Sequence, residues 1–329
     1  MPSAEADTLV TLDDIRQAAY RLRGVSLRTP LLPLAGGGYA KAESLQPIGA
    51  FKLRGAYNAI IQLTDNQRQA GVVTHSSGNH GQAVAYVARL LGIRAVVVMP
   101  DNAPAIKVDR VRGYGARVEF VEPTGAARVA RARELVERDG LVQIPAADDA
   151  RVICGQGTIG LEIVEQLDEI GLTGQLTVLV PVGQGGLAAG VATAVKSLLP
   201  DARVLGVEPE LAADARDSLA AGEIVRWPAE MVQRTMADGL RLESVAPLPF
   251  VHLRRYLDGV LTVSEDEIGQ AMAHAARDAR LVLEPSGAVS LAALFFRPSE
   301  VGAMPVTVLS GGNVDPATYA EILHRYHRA

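Results

Sequence analysis

LTVLVPVGQGGLAAGVATAVKSLLP, residues 176–200, begins with seven residues of strand character, turns on three glycines and closes in a helical run. A short apolar run that ends on a glycine turn and enters a helix is one half of a crossover unit. The alternation recurs on both sides. GVVTHSS (71–77) precedes AVAYVARLLG (83–92), RAVVVMP (94–100) precedes AIKVDRVRGYG (105–115), and RVEFVEP (117–123) precedes ARVARARELVERDG (127–140). Downstream come ARVLGVEPE (202–210) and VTVLSGGN (306–313), the latter opening into VDPATYAEILHRYHRA (314–329). Strands separated by helices need crossovers, so the sheets are predicted to be mostly parallel and covered on both faces. The fold class is α/β. No internal repeat, low-complexity tract or long linker interrupts it, and the last strand–helix unit lies so near residue 329 that no appended regulatory domain is expected.

Composition narrows the function. At 329 residues and 48% hydrophobic, the chain can bury a large core, and its length suits two lobes. A net charge of −5 with 4% aromatics argues against a nucleic-acid surface and leaves small polar or anionic ligands open. The single cysteine, Cys154, excludes an intramolecular disulfide, fits a reducing compartment and reads as a small buried hydrophobe rather than a nucleophile. The amino terminus lacks a basic-then-apolar signal pattern and no apolar run is long enough to span a membrane, so a soluble cytoplasmic protein is expected.

Three glycine-bearing turns stand where strands end. In the first, GQGGLAAG (183–190), glycines let the backbone approach an anion and the helix start offers free N–H groups. Glu208 ends the next strand where a ribose-binding acid of a dinucleotide fold would sit, but the third glycine of that fingerprint is absent, and no lysine with serine or threonine follows to make a P-loop. A single phosphate suits the turn best; a plain strand–helix turn remains the alternative. The second, HSSGNHGQ (75–82), gathers hydroxyls, an amide and helix N–H groups. Ser76, Ser77 and the backbone around Asn79–Gly81 suit a carboxylate, and the Asn79 side chain suits a phenolate-like oxygen, with simple N-capping the plainer reading. His80 reads as structural, because the six histidines show no metal-ligand spacing. The third, VLSGGNVD (308–315), places Ser310 at the carboxyl end of a strand, where open parallel sheets bind ligands. Glu284, in EPSGA (284–288), reads by itself as a solvated surface acid.

One amine stands out. In GAFKLRGA (49–56), Lys52 lies inside an apolar helix start. It either snorkels to water, or is buried with a lowered pKa and therefore nucleophilic toward a carbonyl.

Taken together and in this order, ESLQPIGAFKLRGAYN, HSSGNHGQA, PVGQGGL, EPSGA and LSGGNVD closely resemble the threonine/serine dehydratase and serine racemase family, of fold type II (β-family) among pyridoxal-phosphate enzymes. The likeness runs from about Ile15 to Asp315. It implies a tryptophan-synthase-β-like architecture of two open, mostly parallel sheets flanked by helices. A large cofactor-binding domain of residues 1–71 and 149–329 is expected, with a small mobile domain of residues 72–148. It implies pyridoxal 5'-phosphate joined to Lys52 as an imine, Phe51 beside the ring and Asn79 at the ring oxygen. Gly183, Gln184, Gly185, Gly186 and Leu187 then hold the phosphate, and Ser310 meets the pyridine nitrogen. Ser76, Ser77, Gly78, Asn79 and His80 would hold the substrate carboxylate, Lys52 would remove the α-proton, and Ser77 matches the residue that racemases use on the opposite face. Arg128 matches a substrate-side arginine, although a solvated helix face is the plainer reading. A hydroxyl at position 310 cannot keep the ring nitrogen protonated as an aspartate would, which favours β-elimination over transamination.

The resemblance further implies a divalent cation, Mg²⁺ or Ca²⁺, at Glu208, the Ala212 carbonyl and Asp214. The activity implied is elimination of water from a β-hydroxy amino acid, giving a 2-oxo acid and ammonia, by a homodimer without nucleic-acid or membrane partners. Relatives commonly carry serine at position 50, glycine at 184 and a histidine–proline–phenylalanine run near Pro145, Ala146 and Ala147. Smaller residues there widen the candidate substrates from threonine or serine to phenylserine, 3-hydroxyaspartate or a hydroxyectoine-pathway amino acid. The alternatives are an amino-acid racemase, a nucleotide-dependent oxidoreductase built on residues 183–190 and Glu208, and a cofactor-binding module without turnover.

Overall fold

The computed structural model describes residues 9–172, 174–302 and 304–327; the outer domain limits at residues 1 and 329 lie outside them. Ten strands are described: β1 (Leu31–Pro33), β2 (Tyr39–Lys41), β3 (Val72–Thr74), β4 (Ala95–Pro100), β5 (Arg117–Val121), β6 (Val142–Gln143), β7 (Leu176–Pro181), β8 (Arg203–Pro209), β9 (Gly259–Val263) and β10 (Met304–Val308). The larger sheet has the order β1-β2-β10-β7-β8-β9 and is parallel except between β1 and β2. The smaller sheet, β5-β4-β3-β6, is parallel throughout. All six residues of β7 are buried, as a strand covered on both faces requires.

The helices that matter for the site are α1 (Leu12–Leu22), α2 (Lys52–Ile60), α3 (Asp65–Ala70), α4 (Asn79–Leu91), α5 (Ala105–Gly113), α6 (Gly125–Asp139), α7 (Ala150–Glu169), α8 (Gly186–Leu198) and α9 (Asp214–Ala221). The long α7 lies against both α2 and α8, and small residues set that closeness. A Cβ on Gly155 would come within 2.6 Å of the Arg54 carbonyl oxygen, and one on Gly190 would run into the Ile153 carbonyl. Any side chain at either position would push two backbones apart.

A buried ion cluster locks α2 in place. Arg54 donates to both oxygens of Glu43 at 2.8 Å and to Glu162 at 2.6 Å, while the Lys41 ammonium donates to Glu162 at 2.6 Å, to Gln166 and to the Thr29 carbonyl. Lys41, Glu43 and Arg54 are all fully buried. The short strands β1, β2, β6 and β9 have no counterpart in the sequence reading. No helix among the described residues is long and apolar enough to cross a membrane.

Candidate active site

The carboxyl ends of β3, β7 and β10 lead into the three turns singled out above, in keeping with the rule for open parallel sheets. The Phe51 N–H donates to the Ser310 carbonyl at 3.0 Å, and Ala50 bridges Gly311, so the start of α2 is stitched to the residues following β10. That stitching sets Lys52. Its ammonium donates to the Ala146 carbonyl at 2.9 Å and stands 5.0 Å from the centre of the Phe51 ring. Burial brings its pKa down to about 8, with no carboxylate to restore the charge. The half-buried side chain ends on a backbone carbonyl, which favours the nucleophile reading over snorkelling.

Around the glycine turn, Gly183 and Gly185 adopt φ of 57° and 91°, conformations that side chains rarely take. A Cβ on Gly185 would stand 2.8 Å from Pro249, and one on Gly186 would stand 3.0 Å from Ala147. The first turn of α8, which includes Gly186 and Leu187, has no helical acceptors for its N–H groups. The Gln184 carbonyl accepts from the Ala246 N–H, and its side chain is half-buried. The buried Ser310 hydroxyl donates over 3.4 Å to the Ser286 carbonyl, a long bond that leaves it open to a better partner.

In the turn before α4, neither serine nor Asn79 caps the helix; the cap residue is Gly78, without a side-chain bond. Ser76 Oγ instead accepts from the Gly78 N–H at 3.3 Å, and Ser77 is half-buried in the same turn. Gly81 abuts the Ser76 carbonyl so closely that a Cβ has no room, which folds the turn onto the helix start. Asn79 donates to Glu284 at 2.6 Å and accepts from Asn313 at 2.8 Å. His80 is buried, with Nε2 at 2.9 Å from the Ile144 carbonyl. Burial, and then the Lys52 charge, bring its pKa down to about 3, so it is neutral. Arg128 is half-buried on α6, its guanidinium 3.4 Å from the Thr124 carbonyl; after burial, its charge further lowers the pKa of His75. It is thus only half solvated and close enough to His75 to act on it.

Three acids are buried near the strand ends, and Glu284 thereby departs from its surface reading. Glu284 is buried against Gly311, and burial, reinforced by Asp238, pushes its pKa up to about 7. Glu208 is 1% exposed and accepts from the Ala215 and Arg216 N–H groups, which close α9. Each carboxylate oxygen thus carries one bond to the start of α9. Asp214 is 1% exposed as well, with Oδ2 buried and unpartnered; burial raises both acids, Asp214 to about 7. These two and Ala212 stand together at the end of β8, outside the cluster around Lys52. Cys154 is buried and its thiol is pushed up to about 12 by burial, which makes it inert.

Sequence reading missed the Ala146 carbonyl, the Asn313 amide and the burial of Glu284. A backbone acceptor carries no side-chain signal, whereas Asn313 lies in the third glycine turn and only its partners, distant in sequence, reveal its part. The donors present fit pyridoxal 5'-phosphate: a partly neutral amine, a glycine cradle with unbonded helix N–H groups, a free amide hydrogen on Asn79 and a loosely held hydroxyl.

Residues 23–311 match the family model described as pyridoxal-phosphate dependent enzyme. The chain is 39% identical to a serine racemase of Dictyostelium discoideum over 96% of this chain and 98% of that protein. It is 38% identical to an L-threo-3-hydroxyaspartate ammonia-lyase of Saccharomyces cerevisiae, over 95% and 96%. Among solved structures, maize serine racemase superposes with a TM-score of 0.88 at 36% identity, covering 97% of this chain and 98% of that one.

Proposed function

The chain belongs to the pyridoxal-phosphate dependent enzymes, and from that premise we propose that it is an ammonia-lyase that removes water from a β-hydroxy amino acid and releases a 2-oxo acid and ammonia. The observation that carries the reading is Lys52, a half-buried amine whose pKa desolvation brings down to about 8, without a carboxylate partner, beside a glycine cradle for a phosphate. When bound, pyridoxal phosphate supplies an aldehyde for that amine and an electron-withdrawing ring. Phe51, Asn79, Ser310 and residues 183–187 are the groups that would hold it. Lys52 takes the proton from Cα, holds it at Nζ against the Ala146 carbonyl and can pass it to the departing hydroxyl. The N–H groups from Ser76 to Gly81, at the positive end of α4, take the substrate carboxylate, with Ser77 on the same turn. Ser310 offers a neutral hydroxyl, so no carboxylate at that place protonates the ring nitrogen, and leaving-group loss is favoured over long-lived charge.

Arg128 is a fixed cation close to His75, the first residue of the turn, which suits a substrate bearing a second carboxylate. A 3-hydroxyaspartate is therefore the first substrate to try, followed by threonine, serine and phenylserine. The decisive assay measures ammonia and 2-oxo acid released from that panel, with chiral analysis of the recovered amino acid. Release without inversion supports the lyase; inversion without release would make the chain a racemase, and binding without either would make it a carrier of the cofactor.

We also propose that residues 72–148 form the smaller, mobile domain, whose closure excludes water from the site. The protein is proposed to be a cytoplasmic homodimer, with the exposed Leu27, Leu45 and Val282 as candidates for the shared face, testable by light scattering on wild type and Leu45→Glu. Glu208, Asp214 and the Ala212 carbonyl are proposed to bind Mg²⁺ or Ca²⁺, because Asp214 Oδ2 is buried without a donor. A rise in melting temperature on adding either ion, lost in Asp214→Asn, would support that site; no rise would remove it.

A further inference from the structure

Arg110 on α5, Asn313, Asn79 and Glu284 form a hydrogen-bonded chain with a single polarity. A guanidinium can only donate, and Arg110 Nη1 donates to Asn313 Oδ1 at 2.9 Å. That orients the Asn313 amide, whose Nδ2 faces two acceptors, the Ile48 carbonyl at 2.7 Å and Asn79 Oδ1 at 2.8 Å. The Asn79 amide is oriented in turn, with Nδ2 donating to Glu284 Oε1 at 2.6 Å. An ionised carboxylate can only accept. The cation at one end and the anion at the other thus determine both amide orientations, which are otherwise interchangeable. The chain also passes between the two sheets: α5 and α4 flank the smaller one, whereas Asn313 follows β10 and Glu284 precedes the helix Pro285–Phe296. An amide nitrogen has two hydrogens. With one given to Glu284, Asn79 retains the second.

We propose that Glu284 is a positioning residue, which holds the Asn79 amide so that its second N–H is kept as a donor for the ring oxygen of pyridoxal phosphate, with Arg110 fixing the opposite end of the chain. The proposal rests on the cofactor reading of the site and not on the reaction catalysed. Lining supports it: a Cβ on Gly311 would strike the Glu284 carboxyl, so only glycine there leaves the carboxyl the place from which it meets Asn79. The charged groups that face it are Asp238, Lys107 and Arg110, the first two being paired with each other. Burial and Asp238 raise its pKa, while the Asn79 bond and the two cations lower it, leaving it at about 7. Its grip on Asn79 is therefore complete above that pH and weakens below it.

The test uses the full-length protein and pyridoxal phosphate itself, reading the dissociation constant and the visible absorption band from about pH 5.5 to about pH 9. Wild type should bind more weakly as pH falls through about 7. In Glu284→Gln the new amide can donate as well as accept and its neutral oxygen accepts more weakly than a carboxylate, so the polarity is enforced from the Arg110 end alone and Asn79 is held less firmly. Binding at high pH should weaken by about tenfold or more, and the step near pH 7 should disappear, leaving only the change that Lys52 sets near 8. Glu284→Asp should keep the step with an intermediate affinity. Arg110→Met, which removes the far end of the chain and leaves the carboxyl, should weaken binding in the same direction by a smaller factor. Affinity within about twofold of wild type and an unmoved pH step in Glu284→Gln would overturn the proposal. If that variant does not fold, an Arg110→Met protein with unchanged affinity and spectrum would overturn it instead. Failure of wild type to release ammonia from any amino acid would end the lyase reading and leave this outcome untouched.

Discussion

Lys41 is fully buried and Lys52 half-buried, and loss of solvent lowers the pKa of both, yet the protein treats them in opposite ways. Around Lys41, the carboxylates of Glu162 and Glu43 pull the charge back, and three acceptors take its hydrogens. Around Lys52 there is one backbone carbonyl and an aromatic ring. A buried ammonium with carboxylates on hand is kept charged and serves as a strut; one without them sits close to its neutral form and is available as a nucleophile and base. The region between the two, from β2 to α2, carries both within a short stretch of chain, so the difference comes from partners and not from depth alone.

The largest expected effect tests the chemical side. Lys52→Ala should lower ammonia release by about 10³-fold or more and abolish the absorbance of covalently held cofactor. Because it removes a half-buried, desolvated charge that lacks a carboxylate partner, its unfolding free energy should stay within about 1 kcal/mol of wild type or rise. A variant that lost both activity and several kcal/mol of stability would show that Lys52 is a strut after all.

On the structural side, Arg54→Met should cost about 3–5 kcal/mol in urea unfolding, since it leaves the fully buried Glu43 without its guanidinium. Burial opposes ionisation of Glu43, and Arg54 overrides that and holds its pKa below the usual carboxylate range; without Arg54 the acid must protonate or unfold its surroundings. Lys41→Met should cost less, because Glu162 is partly exposed and retains Arg54.

The same contrast explains what could be read from residues alone. The strand–turn–helix of 176–200 carries its own punctuation, and β7 and α8 lie there in the structure. Lys52 was legible because an amine in an apolar helix start offers only two readings, and a family motif chose between them. Burial of acids was not legible: Glu284 and Glu208 each follow ordinary polar patterns, and what hides them is packing by Gly311 and by the start of α9, outside their own local patterns. Strands β1, β2 and β6, of two or three residues each, are too short for a period to show, and they exist because neighbours in the sheet supply their hydrogen bonds.

A smaller effect concerns pH. Attack on the cofactor aldehyde needs the neutral amine, so the uptake rate of pyridoxal phosphate by cofactor-free protein should climb about tenfold per unit below the Lys52 pKa and level off above about 8. Stopped-flow absorbance would show it. A rate that stayed pH-limited up to the ordinary lysine value would mean that burial leaves Lys52 charged, and the contrast with Lys41 would collapse.

The smallest expected effect is the sharpest test of separation. Replacing Lys41 by Met and Glu162 by Gln together removes one cation and one anion from the cluster and leaves Arg54 on Glu43. A buried pair exchanged as a unit avoids the orphaned charge that a single substitution leaves, so the double variant should lie within about 1–2 kcal/mol of wild type and be more stable than the two single losses summed. Lys52 owes its lowered pKa to burial and to no charge of that cluster. The uptake midpoint near pH 8 should accordingly be the same in the double variant. If it moved, the strut would be tuning the amine through α2, which carries both Arg54 and Lys52, and the two lysines would form a single electrostatic device and not two.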